Sequence, residues 1–449
     1  MSPKRSARPS SRLLPLALAL GLLAPAAHAE DLMELYNAAR SYDATYLAAR
    51  ATAEAAVHRR AQANALRLPQ VGLVGSATRS ESDPAGPAGR ISQTTRNAAV
   101  SGRQPLFNRA NGVTIEQAER ELQISQATLE AAEQDLVVRV SQAYFDVLSA
   151  QDALALARAS KAAITEQLAS AKRNFEVGTA TITDTREAQA RFDLATAQEL
   201  AAENDLRTKR IALDQLVGRN NVQPNPLATP VALPPQPLAE AEQWVAEAEK
   251  QHPGIRRARL ALEIAQLETD KARAGHLPTV DLVGSYSSGH TSGQSQLPPQ
   301  MRSVGSSSAA SVGVQLNVPL FAGFATQNRV RETLVLEQRA REDLEAARRQ
   351  VAQGTRTAFF GLQTGQARVK ALEAAESSSK LALEATQLGY KVGVRVNLDV
   401  LNATTQLFQT QTELARARYE MLMTSLRLEQ AAGQLGPEDV QRINALLKK

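Results

Sequence analysis

No cysteine occurs anywhere in the chain of 449 residues, which excludes disulfides, thiolate metal sites and a cysteine nucleophile. A lipid-modified N-terminal cysteine is excluded too, so any membrane attachment has to come from the folded polypeptide. Aromatic residues make up only 4% of the chain, few for the core of a large globular domain. That scarcity favours long helices packed through small side chains. Neither Gly nor Pro appears from Val113 to Val177, and no Pro appears from Phe321 to Gly436. Also missing are the HExxH, Walker, GxGxxG and GxSxG patterns, so the sequence offers no catalytic centre, metal site or cofactor site. His58, His252, His276 and His290 are scattered singly and expected on the surface or in loops.

What is present begins with an export signal. Lys4, Arg5, Arg8 and Arg12 precede the short apolar run LLPLALALGLLA, and Ala27-His28-Ala29 gives a small-x-small cleavage pattern between Ala29 and Glu30. The run is too short for a spanning helix with comfortable flanks. Removing residues 1–29 leaves 51 − 4 = 47 basic residues against 46 acidic ones. A near-neutral chain gives no footing for nucleic-acid binding.

The rest of the chain is written twice. LPQVGLVGS (68–76) returns as LPTVDLVGS (277–285), and SYDATYLAAR (41–50) aligns with KQHPGIRRAR (250–259), both 209 residues apart. QPLFNRANG (104–112) matches VPLFAGFAT (318–326), FEVGTATITD (175–184) matches YKVGVRVNLD (390–399), and Gly218 matches Gly433. The offset drifts to 215 through small insertions, as expected of two copies of one structural unit. The first unit, 30–218, is expected to hold a helix over 30–66, strands over 68–79 and 96–107, and long helices over 110–177 and 182–217. A Pro-rich segment, 219–243, follows. The second unit, 244–433, repeats the plan with a helix over 240–275, strands over 277–288 and 310–321, and long helices over 323–390 and 397–433, before a tail at 434–449.

Ile115, Ala118, Leu122, Ser125, Leu129, Ala132, Leu136, Val140, Ala143, Val147, Ala150 and Leu154 follow steps of three and four, close to a coiled-coil period. Gly354, Gly361 and Gly365 predict a bent or repacked stretch in the second copy, not a helix end. The strands alternate instead: Val71, Leu73, Gly75 and Ala77 share one face, while Gln70, Gly72, Val74, Ser76 and Thr78 share the other. Four strands cannot close into a barrel, because membrane barrels start at about eight. Three chains pooling four strands each would close twelve, and strands of about ten residues suit a bilayer. A soluble sheet buried against helices stays open as the other reading.

The chain resembles the TolC family of outer-membrane channel-tunnel proteins over nearly its whole length beyond the signal. The carriers are DLMELYNAARSYDATYLAARA (31–51), the paired P-L-F segments, the two V-G-x-x-x-x-x-D turns and VNLDVLNATTQLFQTQTELARARYE (396–420). The resemblance implies a mainly α protein with a β membrane part, a duplicated protomer trimerising into a 12-stranded β-barrel continuous with a 12-helix α-barrel. It implies an exit duct for drug efflux or type I protein secretion, working with a periplasmic adaptor and an inner-membrane ABC or RND-type transporter. Residues 219–243 and 434–449 would form a belt around the middle. A soluble periplasmic coiled-coil adaptor or scaffold is the alternative.

Matched residue by residue, the resemblance places a periplasmic gate at the two turns, marked by Gly178 and Gly393. Thr183 and Asp184 would accept hydrogen bonds from Tyr390 and Arg395, and Asp399 would ring the narrowest point. Asn402 stands where close relatives can carry a second Asp, which implies weaker cation binding. On local grounds alone, Asp184 and Asp399 read as carboxylates favoured near helix N-termini.

Overall fold

The structure is a computed structural model that describes residues 30–82, 91–228, 240–294 and 304–448. The export signal and Ala29 of the cleavage site lie outside the described residues. Glu30, on its other side, donates its N–H to the Gln223 carbonyl at 2.8 Å and pairs with Arg219 at 2.9 Å.

Each copy opens with two helices where one was expected. α1 (Leu32–Tyr42) meets α2 (Ala44–Asn64) at Asp43, so the expected 30–66 helix is broken. In the second copy α5 (Ala241–Gln251) meets α6 (Pro253–Ala274) at His252, which breaks the expected 240–275 helix. The two corners occupy the same place in the duplicated sequence. Their backbones agree, with φ −61° at both and ψ of 116° and 122°, an extended conformation that ends one helix and caps the next. The Asp43 carboxylate accepts from the Tyr46 N–H at 2.8 Å and holds Arg139 through two bonds of 2.9 Å. That guanidinium keeps the Asp43 carboxyl below its ordinary pKa. His252 does the capping with Nδ1, which accepts from the Gly254 N–H at 3.0 Å. Pro253 takes the first helical position, where a missing N–H costs nothing.

After α2 the chain enters an antiparallel sheet of four strands, β1 (Gln70–Ser82), β2 (Ile91–Phe107), β3 (Thr279–Gln294) and β4 (Gly305–Asn317), paired in that order. The arms run further than the hydrophobic pattern predicts, past the expected strand ends at 79 and 288 and ahead of the expected starts at 96 and 310. Backbone pairing continues there between polar residues, as in Arg79↔Thr94 and Ser288↔Ser308. β4 stops at Asn317, short of the expected 321, because Pro319 has no N–H to give a ladder.

The long helices are α3 (Arg109–Glu176), α4 (Ile182–Val217), α7 (Ala325–Lys391) and α8 (Asn397–Ala432). The 68 residues of α3 span on the order of 100 Å at 1.5 Å per residue. α7 passes Gly354, Gly361 and Gly365 unbroken. A Cβ at Gly361 would touch Thr424 at 3.5 Å and one at Gly365 would touch Met421 at 3.6 Å, so these glycines face α8.

The main core lies where α1, α3, α8 and the short α9 (Pro437–Asn444) meet, around Leu35, Tyr36, Tyr144, Phe145, Leu422 and Val440. The described part of the Pro-rich segment joins it, as Leu227 bridges to Leu447 and Tyr144 donates its hydroxyl to the Asn225 carbonyl at 2.9 Å. Residues 229–239 of that segment lie outside the described residues.

His252, at the corner between α5 and α6, is half-buried, and burial with Arg257 nearby holds its pKa below the ordinary value. The unfolded chain therefore binds the proton more readily, and stability falls as pH drops below about 6.5. Thermal unfolding between about pH 7 and pH 5 should show that loss. His252→Asn, which keeps a capping acceptor, should flatten it, and an unchanged profile would contradict this role for His252.

Candidate functional site: the sheet faces and the helical tips

The strand register sets every side chain of the sheet on one of two faces. One face carries the rows Val71–Gly102–Gly284–Val312 and Leu73–Val100–Tyr286–Ala310, with Leu282 beside Val314. The other carries Gly72–Ser101–Ser285–Ser311 and Ser76–Asn97–Gly289–Ser307. Apolar residues thus line up with apolar ones across all four strands, and small polar ones with small polar ones. Val71 and Leu73 are each 74% exposed and Val312 83%, so nothing among the described residues covers the apolar face. A soluble sheet would leave those rows in water.

Among the described residues, charges on that face appear only at the end away from the helices, at Arg79, Glu81 and Arg96. From Val71 to Ala77 the apolar stretch covers roughly 20 Å along the strand. Leu106, Phe107, Leu320, Phe321 and Phe324 extend it at the helical end, all exposed. Its height then approaches the apolar band of about 25 Å seen on membrane barrels. Among the described residues no helix is long and apolar enough to cross a membrane. The sheet is the part of the chain suited to a bilayer.

At the opposite end, α3 and α4 form one hairpin and α7 and α8 another. Gly178 and Gly393 turn each chain in the left-handed region, at φ +78° and +81°. In the first turn Thr181 caps α4, and the Asp184 carboxylate accepts from the Thr181 N–H at 2.9 Å and hydroxyl at 2.7 Å. Thr183 sits exposed beside it in the first turn of the helix. In the second turn the residue before α8 is Val396, which offers no side-chain cap. Arg395 reaches Asp399 of the same turn at 3.5 Å. Its stem lies over Gly389, where a Cβ would come within 2.8 Å of Arg395 Cγ.

Within one chain, then, Tyr390 and Arg395 do not meet Thr183 and Asp184. The hairpins are joined by other residues. Asn174 Nδ2 donates to the Tyr390 hydroxyl at 3.0 Å, Arg191 donates to Asn402 Oδ1 at 2.9 Å, and Gln167 donates to Asn397 Oδ1. Leu401 of α8, 1% exposed, packs into the first hairpin's own cluster of Ile164, Leu168, Ala171, Ala188 and Ala195. The sequence alone does not single out Gln167, Asn174, Arg191 or Asn397, which are ordinary polar residues on long helices. Leu401 could have been found by its place on the helix face with Asn397, Val400 and Thr404. Higher up, Tyr419 of α8 donates to Asp152 of α3 at 2.7 Å, and burial raises the pKa of that carboxyl.

Comparison with known proteins gives the chain relatives over nearly its whole length. The family model described as outer membrane efflux protein matches residues 35–219 and 244–434, one match on each copy of the repeat. The outer membrane protein TolC of Vibrio cholerae is 35% identical over 97% of this chain and 99% of its own length. The alkaline protease secretion protein AprF of Pseudomonas aeruginosa is 30% identical over 94% of this chain and 89% of its own. Among solved structures, the outer membrane protein VceC of Vibrio cholerae superposes with a TM-score of 0.74 at 20% identity, over 90% of this chain and 96% of that one.

Leu401→Ala should destabilise the tip by about 2–5 kcal/mol through the cavity it leaves. Hydrogen exchange should then accelerate across residues 160–200 while the core around Tyr144 stays protected. Unchanged exchange at the tip would contradict the docking of α8 on the first hairpin.

Proposed function

Because the chain belongs to the outer membrane efflux protein family, that of the TolC-type channels, we propose that it is the exit duct of an export machine, closed at rest by its helical tips. The protein is an outer-membrane channel, in which three copies form a β-barrel continued by a helical tunnel. The observation that carries the reading is the sheet itself: among the described residues both edges are unpaired and one apolar face is uncovered, and the outward rows are in register from β1 to β4. Three such sheets close a cylinder with hydrocarbon outside and water inside.

The finer reading concerns cargo, partners and the gate. AprF is a protease secretion protein and the family model is described by efflux, so this duct serves small-molecule efflux, protein secretion or both. A periplasmic adaptor and an inner-membrane transporter supply the cargo and the energy. The described parts of the segments 219–243 and 434–449 gird the middle, where Leu227 meets Leu447. The gate lies at the turns, where Thr183, Asp184, Tyr390, Arg395, Asp399 and Asn402 come together when three copies surround one axis. Arg395 and Tyr390, which do not reach Thr183 or Asp184 within their own chain, bond them there. Three Asp399 carboxylates then face the opening and attract cations. Asn402, uncharged and engaged by Arg191, keeps that attraction weak.

Arg395→Ser should raise single-channel conductance in planar bilayers, because each charge-assisted bond it removes is worth about 1.5–3 kcal/mol. Wild-type conductance in that variant would contradict this latch. Fractionation tests the duct itself: a trimer extracted by detergent from the outer membrane is expected, and a monomer in osmotic-shock fluid would contradict it.

A further inference from the structure

Among the described residues, the face that would line the barrel is uncharged apart from one pair. Its residues run Gln70 to Thr78 in β1, Asn97 to Arg103 in β2, Thr279 to Gly289 in β3 and Ser307 to Asn317 in β4. Among them only Arg103 and Asp281 carry charge. They meet at 2.7 Å, from Arg103 Nη2 to Asp281 Oδ2, across the seam between β2 and β3. That seam is also where the first copy of the repeat joins the second. Asp281 has no counterpart in the first copy, whose matching position is Gly72.

The two charges are not equally placed. The Asp281 side chain is 5% exposed and the Arg103 side chain 60% exposed. Asp281 Oδ1 is buried without a hydrogen-bond partner among the described residues. The carboxylate is tucked into the wall while the guanidinium stands in front of it, facing a hollow lined by Gln70, Gly72, Ser101, Ser285 and Ser311. Arg103 lies five residues before Asn108, the cap of α3, so the pair sits at the helical end of the sheet.

We propose that in the assembled channel Arg103 forms a ring of three guanidinium groups at the periplasmic mouth of the barrel. The ring favours anions, including cargo that bears carboxylate or phosphate groups. This rests on the duct reading above, because only assembly turns the polar face into a lumen. Field from the ring reaches the axis at low salt, where the screening length is about 30 Å at 0.01 M, and not at 1 M, where it is about 3 Å. The ring is separate from the tips and acts on whatever has already passed them.

The test is the reversal potential of the full-length protein in planar bilayers under a potassium chloride gradient. At about 0.01 M salt, Asp281→Asn should shift the anion-to-cation permeability ratio upward by about twofold or more. Arg103→Gln should shift it downward, Arg103→Lys should leave it at the wild-type value, and all differences should vanish near 1 M. Asp281→Asn and Arg103→Lys keep the comparison decisive where Arg103→Gln does not assemble. Channels of Asp281→Asn with the wild-type ratio at low salt would overturn the ring and leave the duct standing. A wild-type protein that forms no channel would instead overturn the duct.

Discussion

In hydrocarbon every backbone N–H and C=O has to be satisfied by the protein, because no water is available to do it. β1 and β4 each present an outer edge that nothing among the described residues pairs, and every residue of both strands is exposed. That unpaired edge dictates the rest of the structure. It requires other copies of the chain. Those copies must bring their helices side by side, which explains long helices with small, repeated contact residues and few aromatics. The seam through the middle of α3 and α8 is correspondingly dense, with Tyr144 and Leu422 fully buried.

The duplication serves the same constraint. Each copy supplies two strands and one helical hairpin, so the chain approaches radial symmetry before any assembly. The copies diverge where symmetry is not required. On the polar face Gly72 corresponds to Asp281, while on the apolar face Val71 and Leu73 return as Val280 and Leu282. At the corners Asp43 corresponds to His252, two different acceptors solving one capping problem. The bilayer constrains one face of the wall tightly, and water leaves the other free to acquire charge.

Much of this was legible in the sequence. The two-residue alternation from Val71 to Thr78 and the absence of Gly and Pro from Val113 to Val177 fix element type, because burial on one face leaves a period behind. The corners were harder to see. Nothing apolar marks a break at Asp43, since its neighbours continue the helical period on both sides. Asp43 as a cap and His252 before Pro253 were nonetheless readable local signals. The tips were the least legible part. Cross-hairpin bonds such as Arg191 to Asn402 join residues 211 apart in sequence, and such partners leave no local pattern. The expected meeting of Tyr390 with Asp184 does not occur inside one chain, where Asp184 is taken by the Thr181 cap and Tyr390 by Asn174.

The central claim is that the sheet of one chain is completed by two others. A chain without cysteine allows it to be tested cleanly. Ser76→Cys on β1 can be combined with single cysteines scanned along β4, from Ser307 to Gly313, and the protein oxidised in the outer membrane. The account predicts that at least one pair gives covalent products of two and three chains and none larger. Only single chains at every position of the scan, or products that grow beyond three, would contradict it.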